Sequence, residues 1–183
     1  LFYGLVFFSV GCAVLFRNFR FSQLKIAPTL WALAVFGFSH AFHEWSELYV
    51  LIFTGHIAEE YKLLTLWLCL AKLFLSYLAL MIFVWQILSI SNKRLAVIGH
   101  SLIVFIILLY GYLVIPDLHH LSVNRSGFVE ASQYTRVLIG FGSALLAGIG
   151  MMVYGFNLRQ EQHSYGNYFA LCGVGLVIYG GLS

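Results

Sequence analysis

Charge is what this chain has least of: only 9% of its 183 residues are charged, against roughly one quarter in soluble globular domains. With 61% hydrophobic residues and a mean hydropathy of +0.90, that scarcity excludes an ordinary soluble domain. The cysteines are few and scattered. Cys12, Cys69 and Cys172 lie in three different apolar runs with no CxxC spacing, which excludes both a disulfide framework and a thiolate metal site. Signatures of nucleotide and hydrolytic chemistry are missing as well. No GxGxxG, GxxxxGK or GxSxG occurs, and the histidines fall in the order HxxHE rather than HExxH. The net charge of +3 comes from basic residues in short connections rather than from a patch, so nucleic acid is not an expected partner.

What the chain does have is a series of apolar runs close to the roughly 20 residues that an α-helix needs to cross a bilayer. Short alternating strands, the mark of a barrel, are lacking, so the expected fold is an all-α, polytopic transmembrane helix bundle. Six spans are expected, at about residues 1–16, 28–53, 63–90, 95–115, 135–156 and 168–183. The last run is cut off inside apolar sequence, so seven or more spans are expected in the full protein. Residues 1–183 form a single transmembrane domain. Arg17, Arg20, Lys25, Lys93, Arg94 and Arg159 mark the first, third and fifth connections, which the positive-inside rule places in the cytoplasm with the amino terminus outside. The polar stretch from Pro116 to Tyr134 is expected to be a long outer loop folded over the mouth of the bundle. Gly140, Ala144 and Gly148 stand four apart, a small-residue stripe for close helix packing.

One segment breaks the apolar pattern. In FSHAFHEWSE, His40, His43, Glu44 and Glu47 project within about one third of a helix circumference. The spacing gives two overlapping i,i+4 pairs, His40 with Glu44 and His43 with Glu47, so that each imidazole can donate one ring N–H to a carboxylate and keep its other nitrogen for a ligand. Rising from Pro28, the helix reaches these residues in the outer half of the bilayer. His56, Asp117, His119, His120 and Arg136 are expected at the same level. Lys72 lies inside the third span, where a bare ammonium costs a few kcal/mol or more, so it is expected to face the interior with Ser76 and to meet Glu44 or a haem propionate. His100 lies nearer the cytoplasmic face, a candidate for a second ligand or for a hydrogen bond to Ser101.

Two cofactor chemistries suit this set: haem b held by histidines from two helices, with His119, His120 and His56 as candidate partners of His43, or a first-row transition metal on His40, His43, Glu44 and Glu47. The alternative is a satisfied polar network that glues the bundle.

The stretch FGFSHAFHEWSELYV, followed by KLFLSYLALMIF and QYTRVLIGFGSALLAGIGM, resembles the multi-span amino-terminal region of certain bacterial sensor histidine kinases and diguanylate cyclases. His40, His43, Glu44 and Trp45 match its HxxHEW pattern, Ser76 a serine-centred span, and Arg136, Gly140 and Gly142 a third element. In that element Val137 and the Phe141-Gly142 pair depart from the family's tyrosine and Phe-Pro-Gly run. The resemblance implies a signal-input module in the bacterial inner membrane, with kinase or cyclase activity in a cytoplasmic output domain beyond residue 183. The expected partners are the bilayer, a second copy in a homodimer and that output domain. The expected signal is redox state, oxygen or a quinone. Two other readings compete. One is a cytochrome b-like electron-transfer subunit of a larger complex, which would need paired histidines on two helices. The other is a transporter with a proton relay through Glu44, Glu47 and Lys72, for which broken helices and a repeat are lacking.

Overall fold

The computed structural model describes residues 2–16, 24–114, 125–161, 163 and 165–182, apart from the side chains of Thr54, Glu59, Arg125, Ser126 and Leu182. Helices α1 (Phe2–Leu15), α2 (Leu30–Phe53), α3 (Glu59–Ser91) and α4 (Lys93–Val114) follow one another through short connections. Helix α5 (Arg125–Tyr134) runs through a π-helical turn, Thr135–Phe141, into α6 (Gly142–Gln160), and α7 (Gly166–Leu182) completes the bundle. No strand occurs among the described residues. Each of the six expected spans falls on a helix. Three helical stretches, Glu60–Ser91, Lys93–Val114 and Gly127–Gln160, are long and apolar enough to cross a membrane. α2 is long enough, but its polar face lowers its hydropathy below theirs.

The polar segment before the fifth span is not loop throughout. From Arg125 it is helical, because Phe128, Ala131 and Thr135 recur at i, i+3 and i+7 and bury one face. Phe128 and Ala131 pack with Val114 against Leu66, Trp67, Leu70 and Tyr110, which ties the start of this long helix to α3 and α4.

Helix α3 is the hub, packing on α2, α4 and α6, while α1 lies on α2 and α7 on α6. Its residues Leu73, Tyr77, Leu80, Phe83, Val84, Ile87 and Leu88 are fully buried. Leucines 51, 64, 68, 108 and 171, by contrast, are more than half exposed, as expected of side chains that face lipid. The stripe of small residues does the packing expected of it. A Cβ at Gly148 would stand 2.6 Å from the Gly173 carbonyl oxygen, and one at Gly173 would stand 2.6 Å from that of Gly148, so α6 and α7 touch backbone to backbone. Alternating helix directions bring the carboxyl end of α2, the amino ends of α1, α3 and α5, and the carboxyl end of α7 to one end of the bundle, where the polar residues of α2 lie.

Candidate functional site

His40 and His43 are 0% and 1% exposed, the most completely enclosed polar side chains of α2. Their ring nitrogens are assigned by their neighbours. His43 Nδ1 lies 3.1 Å from the carbonyl oxygen of Cys69, which can only accept, so Nδ1 carries the proton and Nε2 is left for other work. His40 Nδ1 lies 3.1 Å from Ser76 Oγ, and Ser76 spends its own proton on the Leu73 carbonyl at 2.7 Å. His40 Nδ1 is therefore a donor too. Its Nε2 takes the Tyr179 hydroxyl at 3.2 Å. Phe7, Phe36, Tyr77 and Tyr179 surround the ring, with centroids 4.6 to 5.9 Å away.

Of the expected i,i+4 pairs only the proximity is present: His40 Nε2 lies 3.6 Å from Glu44 Oε1 and His43 Nε2 lies 3.3 Å from Glu47 Oε1. Each ring N–H goes to α3, to Ser76 or to the Cys69 carbonyl, instead of to a carboxylate. Arg136 enters from the π-helical turn. Its Nη2 donates to Glu47 Oε2 at 2.8 Å and lies 3.3 Å from His43 Nε2, while Nη1 stands 3.7 Å from Glu44 Oε1. Glu44 and Arg136 are about one fifth exposed and Glu47 is 40% exposed, so the cluster opens on its carboxylate side and closes on its histidine side. One atom is left short. Glu44 Oε1 is buried without a hydrogen-bond partner.

Donor atoms of His43, Glu44 and Glu47 lie within 4.8 Å of one another, so this group can hold a metal. Imidazole nitrogen with two carboxylates is a borderline donor set that suits first-row divalent ions, and the hydrogen bond from Nδ1 to a backbone carbonyl is the orienting contact that such a histidine needs. His40 sits one shell behind. Its Nε2 is spent on Tyr179, so it steadies the cluster instead of joining the convergent donors.

The described residues give haem no support. The two histidines share one helix with rings 6.0 Å apart, aromatic side chains fill the space around His40, and His43 Nε2 faces carboxylates and a guanidinium. The groove of about 270 Å³ between α2 and α3 is lined by Trp45, Ser46, Cys69 and Lys72 among others, and by no histidine. Several sequence expectations change accordingly. His56 is exposed at the end of α2, against Phe53. His100 stacks on Trp85 with ring centroids 3.5 Å apart and bonds the Trp85 carbonyl and Ser89 on α3, not Ser101. His119, His120 and Asp117 lie outside the described residues. Lys72 does not meet Glu44; its Nζ donates to Ser46 Oγ, and the cation beside Glu44 is Arg136. Trp45, the last residue of the HxxHEW pattern, packs over Gly4 of α1 and against Phe8.

Sequence reasoning missed Tyr179 and Tyr77, the aromatic partners of His40. Their only signal is a tyrosine inside each of two otherwise apolar runs. No protein-family model, no curated protein and no solved structure matches the chain.

Proposed function

We propose that this chain is a membrane-embedded signal-input module of the bacterial inner membrane, with the amino terminus outside, and that its outward-opening His43, Glu44 and Glu47 cluster binds a first-row divalent metal as the sensed or sensing group. The observation that carries the metal reading is the convergence of one imidazole nitrogen and two carboxylates within 4.8 Å, with Glu44 Oε1 buried and short of a hydrogen bond although the Arg136 guanidinium stands 3.7 Å away. A buried unsatisfied acceptor is costly, and an ion is one of the few things that satisfies it. Three ionisable residues on one helix touch a fourth on another, an arrangement that suits a sensing site between helices. The electron-transfer reading gains no support, since among the described residues no two histidines pair across helices.

The test is elemental analysis of detergent-purified protein, with a Co²⁺ titration of the metal-free protein followed by its visible absorption. One equivalent bound in the wild type and none in His43→Ala is the expected result. An absence of stoichiometric metal and of any Co²⁺ spectrum in the wild type rejects the metal role and leaves a polar network that holds helices together.

A further inference from the structure

The guanidinium of Arg136 reaches each group of the candidate metal site: Nη2 is 2.8 Å from Glu47 Oε2 and 3.3 Å from His43 Nε2, and Nη1 is 3.7 Å from Glu44 Oε1. Since His43 Nδ1 donates to Cys69, the neutral ring has a single lone pair, on Nε2, and Nη2 points at it. A metal ligated there, at about 2.0–2.2 Å from its nitrogen and oxygen donors, needs that same lone pair and the same carboxylate oxygens. Two cations so close also repel strongly away from bulk water. The arginine and a metal therefore exclude each other.

Resting on the metal reading above, we propose that Arg136 is a tethered cation that holds the His43, Glu44 and Glu47 site until a divalent metal displaces it, and that Arg136 thereby determines which ions the site accepts. With His43 neutral, two carboxylates and one guanidinium leave one negative charge. An alkali ion gains little by replacing a charge-assisted, oriented arginine contact. Mg²⁺ and Ca²⁺ prefer oxygen and do not profit from the imidazole. An ion that bonds both nitrogen and carboxylate gains enough to expel the arginine.

The backbone under Arg136 suits such a movement. Arg136 is the second residue of the π-helical turn Thr135–Phe141, and π turns are rare, short insertions inside α-helices that recur at functional sites. Shifting the extra residue along the helix rotates the side chains it passes by about 100°, enough to swing Arg136 out of the cluster. Later in the same turn, Gly140 sits against Tyr77, where a Cβ would stand 2.5 Å from Cζ. Tyr77 in turn packs on His40, with centroids 5.4 Å apart. A rearranged turn is thus felt in α3 and at the head of α6, which runs to the opposite end of the bundle.

The test compares Co²⁺ binding to the whole detergent-solubilised chain in the wild type and Arg136→Gln. Removing a competitor that occupies the site raises apparent affinity by the inverse of the free fraction, so the variant is expected to bind Co²⁺ about 10-fold tighter or better. In the wild type, saturating Co²⁺ is expected to raise the rate at which phenylglyoxal modifies Arg136, and Mg²⁺ is not. Equal or weaker Co²⁺ binding by a folded Arg136→Gln, with the wild type binding, overturns the displacement and spares the metal site. Binding by neither protein overturns both. If the variant does not fold, the arginine modification in the wild type decides: a rate unchanged by bound Co²⁺ overturns the proposal.

Discussion

The Tyr179 hydroxyl donates to His40 Nε2 at 3.2 Å, across 139 positions of sequence. With Ser76 on the other nitrogen, this contact gives a fully buried imidazole both of its partners, one from α3 and one from α7. His40 is therefore a tie between three helices. Such a tie is affordable in a dry interior only because every polar atom in it is matched.

Tyr179→Phe tests that role. It removes the donor and leaves His40 Nε2 buried without a partner, which costs about 1–3 kcal/mol. The thermal midpoint in detergent is expected to fall, while Co²⁺ affinity at the neighbouring cluster stays near the wild-type value. A large loss of Co²⁺ binding with no loss of stability would instead show that the Tyr179 hydroxyl acts on the cluster and is no mere tie between helices.

Packing at the α6–α7 contact makes a sharper prediction about stability. Gly148→Ala puts a methyl group 2.6 Å from the Gly173 carbonyl oxygen and 2.5 Å from Val177 Cγ2, and a backbone cannot yield as a flexible side chain can. Overpacking of this kind costs about 1–3 kcal/mol. Gly175→Ala, on the same α6–α7 hairpin but with nothing within 4 Å of its new methyl, is the control. It is expected to be neutral or slightly stabilising, since Ala favours helix by up to about 1 kcal/mol. Equal thermal midpoints for the two variants would refute the close approach.

The face shared by His40, His43, Glu44 and Glu47 was legible because helical spacing alone decides it. The helices were legible, and three of them as lengths able to cross a membrane, because hydropathy and length decide both. Which cation meets Glu44 was not legible. Lys72 and Arg136 are both one helix away, and the choice depends on how each neighbouring helix is rotated about its axis. For Arg136 that rotation is set by a π turn in TRVLIGF, a segment with no proline and no early glycine to betray it. Helix α5 was missed for a different reason. Its overall polarity suggested loop, yet Phe128, Ala131 and Thr135 already carried a helical stripe.

Lys72 offers a direct check on that reassignment. Its ammonium is bonded to Ser46, and no ion pair joins it to Glu44, so Lys72→Met is expected to leave Co²⁺ affinity within about twofold, as for a site without shared partners. Burying a thioether in place of an ammonium inside an apolar groove is also expected to leave stability equal or higher. A tenfold change in Co²⁺ affinity would show that Lys72 acts on the cluster after all.

Orientation decides which compartment supplies the ion. Lys93 and Arg94 open α4, at the end of the bundle opposite the cluster, and Lys25 and Arg159 lie at that same end. Basic residues are retained in the cytoplasm. A phosphatase reporter fused after Arg94 is accordingly expected to be silent, and one fused near Asn124 active. The cluster then opens to the periplasmic side, and added chelators that do not cross the membrane are expected to strip its metal in intact spheroplasts. The reverse reporter pattern would turn the bundle over. The same carboxylates would then face the cytoplasm, and an impermeant chelator would leave the bound metal untouched.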